Sequence, residues 1–164
     1  MESYRRDLPR RKARELSLRP GRAGWAALTA LWSRLFVEAA PALTRWPVLR
    51  KRTEDGLAMA LSLAAGLSTL SDVPQDLVTD LKGFAVEDDA SPEWQHIIDL
   101  TGMLVDCLGG MPLVDNLETG LSAFLDSQMN ALGDELGARN AAELHDLLAS
   151  DPRWTRTVAW VDSL

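Results

Sequence analysis

From Ala23 onward the apolar positions recur at spacings of three and four, the period of an α-helix. Trp25, Leu28, Leu31, Trp32, Leu35 and Phe36 form one such stripe. It predicts a helix from Ala23 to about Ala40, with Pro41 as its stop. After the Trp46-Pro47 turn, a second helix is predicted over Val48–Ala65, apolar over most of its C-terminal half and closed by Gly66. Ser71-Asp72 followed by Pro74 starts a third, shorter helix to about Phe84. Ser91-Pro92-Glu93 repeats the signal and opens a fourth, whose stripe includes Trp94, Ile97, Leu100, Leu104 and Leu108 before Gly109-Gly110. Pro112 opens a fifth, with Leu117, Leu121, Phe124, Leu125 and Leu132 on one face. Asn140-Ala-Ala-Glu143 reads as a capping box for a sixth helix through Leu148, and Asp151-Pro152 caps a last one carrying Trp154, Val158 and Val161. No sustained alternation or hairpin signal competes. The expected fold is all-α, a single bundle of five to seven helices over residues 24–164.

Residues 1–23 break the pattern. They hold eight basic side chains, among them Arg5, Arg6, Arg10, Arg11, Lys12 and Arg14, against three acids. Pro9, Pro20 and Gly21 interrupt them. This stretch is expected to be a disordered basic arm. The rest of the chain carries 9 basic and 21 acidic side chains, so a net charge of −7 conceals a body at −12. Such a body repels nucleic acid and attracts cationic partners. Nucleic acid therefore enters only as a ligand of the arm. The one cysteine, Cys107, cannot form an internal bridge and suits a reducing, cytoplasmic setting. The uncharged run from Leu57 to Leu70 has only 14 residues. A bilayer needs about 18–20, so no membrane span is expected.

Chemistry-bearing groups are few. Glu93, His96 and Asp99 fall at i, i+3 and i+6 of a predicted helix and share a face, as ligands of a metal-dependent enzyme would. Ferritin-like sites need a second Glu-x-x-His, and His145 has Ala142 in that place. Glu93 also suits a first helical turn on dipole grounds. Cys107 follows an apolar stripe and reads as a small buried hydrophobe. There is no nucleophile elbow and no phosphate-binding glycine motif. No cofactor is expected.

The stretches Leu28-x-x-Leu31-Trp32-Ser33-Arg34-Leu35-Phe36, Trp46-Pro47-Val48-Leu49-Arg50, Asp80-Leu81-x-x-Phe84, Ile97-Ile98-Asp99-Leu100 and Asp151-Pro152-x-Trp154 come in an order that resembles the YjaG-like family of bacterial helical proteins. The acidic Glu87-Asp88-Asp89 before Trp94 belongs to the same pattern. The resemblance implies an all-α fold and supplies no activity and no functional residue.

These readings point to a non-enzymatic helical interaction protein that binds a basic protein partner. An immunity protein or an accessory subunit of a bacterial defence or regulatory complex would fit. Its expected contacts are Asp72, Asp76 and Asp80, one turn apart, the run Glu87, Asp88, Asp89, and Trp46 as an aromatic anchor. The alternatives are a nucleic-acid-associated protein tethered by the arm and a metal-dependent enzyme using Glu93, His96 and Asp99.

Overall fold

The stripes become helices, and they close on one another. The computed structural model describes residues 2–85 and 92–164, with side chains from Asp7 to Phe84 and from Trp94 onward. Among the described residues there are eight α-helices and no strand: α1 (Glu2–Leu18), α2 (Ala23–Leu43), α3 (Pro47–Ala64), α4 (Gln75–Ala85), α5 (Pro92–Leu108), α6 (Leu113–Leu136), α7 (Ala141–Ser150) and α8 (Pro152–Ser163). A 3₁₀ turn, Leu70–Asp72, leads into α4. The long helices α2, α5 and α6 form the centre. The pair α3 and α4 covers one flank of α5, while α1, α7 and α8 cover α6. Trp32, Phe124, Leu28, Leu31, Leu35, Leu104 and Leu117 are fully buried where these layers meet.

The helix count exceeds the expected five to seven because the expected arm is itself a helix. Leu8, Ala13 and Leu16 stand at spacings of five and three on α1 and are buried against the bundle. Lys12 lies in the same stripe. Its aliphatic stem is covered, and its ammonium emerges to donate to the Asp162 carbonyl at 2.7 Å. Arg19 donates to the Leu164 carbonyl at 2.6 Å. Arg22 donates to the Ala64 carbonyl, across Gly66. The last carbonyls of a helix lack intrahelical donors and sit at the negative end of its dipole. Three cations of the basic segment thus close the C-terminal ends of α8 and α3. At the end of α3, Gly66 adopts φ +72° and the Leu67 N–H reaches back to the Ser62 carbonyl at 2.9 Å.

Pro41 does not stop α2. It lacks the N–H that would bond to the Val37 carbonyl, but it stands near the helix end, on a face where Val37 is 70% exposed. Burial of Ala42 and Leu43 carries the helix one turn further. The expected caps of the last two helices are present. Asn140 accepts the Glu143 N–H at 3.0 Å, and Asp151 accepts the Arg153 N–H at 2.7 Å. The Glu143 carboxylate reaches back to the Arg139 N–H, one residue before the position a capping box uses. No helix among the described residues is long and apolar enough to cross a membrane.

Candidate functional site

Of the residues expected to meet a partner, those that the structure describes are engaged within the molecule. The Asp72 carboxylate accepts the Thr69 N–H at 2.8 Å and holds the 3₁₀ turn. Asp76 and Asp80 are both taken by Arg52 of α3, at 3.1 and 2.7 Å, so that face of α4 carries little free charge. Trp46 is 38% exposed and meets the buried Trp94 edge-on, with ring centroids 4.8 Å apart. Glu87, Asp88 and Asp89 lie outside the described residues, as do the side chains of Arg5, Arg6 and Glu93. Of the remaining basic residues, Lys12 is buried, while Arg10, Arg11 and Arg14 are exposed on α1.

His96 and Asp99 do share the α5 face, but they point to different partners. His96 Nδ1 is 2.9 Å from Ser127 Oγ of α6 and 3.6 Å from Glu38 Oε2 of α2. Gln128 donates to the same Glu38 oxygen at 2.8 Å. A serine, a histidine and a glutamate are therefore adjacent. A nucleophilic triad needs the hydroxyl and the carboxylate on opposite ring nitrogens. Here both stand at Nδ1, and Ser127 is buried within a helix. The cluster ties α2, α5 and α6 together and lacks the geometry to activate the serine. Asp99 accepts from Gln95 at 2.9 Å, and burial pushes its carboxyl above the usual range. No group of three or more His, Cys, Asp or Glu side chains suited to a metal ion occurs among the described residues. Cys107 is buried, which pushes its thiol up to about 11 and keeps it protonated at neutral pH.

A mainly apolar concavity lies elsewhere. A groove of about 450 Å³ runs between α6 and α8 and is closed at its sides by α1 and α7. That volume falls within the usual range of binding clefts. Its apolar surface comes from Leu8, Leu125, Met129, Ala149, Trp154, Val158 and Ala159. Asp126 and Asp162 also line it, and neither has an ion-pair partner among the described residues. The two helices run antiparallel, since Phe124 packs on Trp160 at 5.2 Å while Glu135 pairs with Arg153. In this register Asp126 and Asp162 stand toward one end of the groove, and Met129 and Trp154 toward the other. The side chains repeat along α8 as Trp154, Val158 and Asp162, one per turn. In the sequence, Trp154 and Val158 stand on the apolar stripe of the last helix, and only the packing of α1 and α7 shows which part of that stripe stays uncovered.

No family model, no curated protein and no solved structure matches this chain.

The groove presents no nucleophile beside a base. What its lining can do is bind: an apolar surface rewards burial of apolar groups at about 25 cal/mol per Å². Two carboxylates with no ion-pair partner among the described residues favour cationic groups there.

Proposed function

We propose that the chain is a non-enzymatic interaction protein that receives a basic, amphipathic helix of a protein partner in the groove between α6 and α8. One observation carries the reading: Asp126 and Asp162, neither in an ion pair among the described residues, both line an apolar groove. Helix-in-groove recognition places an apolar face in such a depression. The stretch Trp154–Asp162 rises about 12 Å along α8, which matches about two turns of a partner helix. An apolar side chain of the partner would seat against Met129 and Trp154, and Lys or Arg one or two turns on would meet the carboxylates. The net charge of −7 would steer a basic partner to the surface. This keeps the partner chemistry expected from the sequence and moves its contacts from the α4 face to the α6–α8 groove. An immunity protein or an accessory subunit would work in this way.

The test uses a designed Leu/Lys amphipathic peptide and its Leu/Glu counterpart, with affinity measured by anisotropy. The Leu/Lys peptide should bind, more weakly as salt rises. Asp126→Lys with Asp162→Lys should weaken it about tenfold or more, since like charges then face each other. Equal affinity for both peptides, or for protein with and without the double substitution, would refute the reading.

Among the described side chains of α1, a nucleic-acid role would rest on Arg10 and Arg14, because Lys12, Arg19 and Arg22 are committed to helix ends.

A further inference from the structure

On another flank of α8, we propose a second site, for a small organic oxyanion bearing a carboxylate or phosphate group. It does not depend on the groove reading. A hollow of about 450 Å³ lies between α2, α6 and α8. Three guanidinium groups line it in a chain whose net charge is negative: Arg34, Arg153 and Arg156. Leu132 supplies an apolar wall for the organic part of a ligand.

Two of the arginines are fixed in place before any ligand arrives. Arg34 lies over the Trp160 ring at 4.5 Å and faces Phe124 at 5.3 Å, with Glu38 3.6 Å from its Nε. Arg153 is held by Asp151 at 2.9 Å and by Glu135. A guanidinium has five N–H donors in a rigid fork suited to carboxylate and phosphate. These contacts leave part of each fork unused. Arg156 is exposed and has no ion-pair partner among the described residues.

An independent observation comes from Thr157. It is only 5% exposed, it lines the hollow, and its hydroxyl has no hydrogen-bond partner among the described residues. Buried hydroxyls are normally satisfied. The other buried helical threonines here follow the rule: Thr53 donates to the Leu49 carbonyl and Thr101 to the Ile97 carbonyl, each at 2.8 Å. The Thr157 hydroxyl makes no such bond, and its oxygen stays open to solvent at the hollow that the arginines line. An oxyanion seated there would accept from Thr157 and Arg156 and would share the Arg153 fork with Glu135. Glu135 is 63% exposed at its side chain, free to swing away, and competes with the ligand for Arg153.

Calorimetry at low salt, with pyrophosphate and citrate titrated separately into the full chain, tests the proposal. At least one should bind saturably with 1:1 stoichiometry, and the one that does assigns the head group. Arg156→Gln should weaken it about tenfold and Thr157→Val about three- to tenfold, each with its melting temperature checked. Glu135→Gln should tighten it, a gain that loss of a merely structural ion pair would not produce. Arg14→Gln, at an exposed arginine of α1, should leave it unchanged. The proposal is overturned if neither probe saturates, if Glu135→Gln weakens binding, or if Arg14→Gln weakens it as much as Arg156→Gln, which would mean diffuse charge attraction.

Discussion

A chain lacking residues 1–22 should lose most of its stability rather than a dispensable tail. Removing α1 uncovers the surface of α6 against which Leu8, Ala13 and Leu16 pack. Large-to-small changes at a single buried leucine cost about 2–5 kcal/mol, and two leucines leave here together. The deletion also strips the donors from the Asp162, Leu164 and Ala64 carbonyls, each worth about 1 kcal/mol. The sum is of the order of the whole stability of a domain this size, about 5–15 kcal/mol. Urea unfolding followed by circular dichroism should show either a broad transition or a midpoint shifted far down. A midpoint equal to that of the full chain would mean the segment is a tail after all.

Phe124→Ala should be among the costly single truncations, by about 3–5 kcal/mol. Phe124 is fully buried, forms an edge contact with Trp160, and stands under Arg34. Its loss opens a cavity between α2, α6 and α8 and removes part of the platform that orients the guanidinium. Oxyanion binding should therefore weaken in any fraction that remains folded. Val37→Ala, at a position 70% exposed, should change the urea midpoint hardly at all. Similar losses at the two positions would contradict the packing described.

The helical periodicity and the cap signals are local, and they carried the helical class, the Asn140 and Asp151 caps and the close of α3 at Gly66. What they missed is non-local. Among the described side chains of α1 the buried apolar stripe is narrow, with Leu8, Ala13 and Leu16, and Lys12 within it counts as charge although its stem is buried. A stripe that narrow among eight basic residues looks like a solvated arm until α6 and the end of α8 are set beside it. The acids of α4 read as a free face because their cation, Arg52, is more than twenty residues away. The spacing of Glu93, His96 and Asp99 showed a common face but could not show Ser127 and Glu38 arriving from two other helices. The groove was invisible for the same reason, since a residue that lines a cleft and one that fills a core have the same periodicity.

Methyl resonances of methionine separate the two places where a basic partner would dock. The chain has five methionines. Met129 lines the α6–α8 groove, and Met59 lines a hollow beside Arg52 and Asp76, on the α3–α4 flank. In protein labelled at the methionine methyl groups, titration with the Leu/Lys peptide should move the Met129 signal progressively while Met59 stays in place. A shift of Met59 without Met129, or no shift at either, would contradict the account.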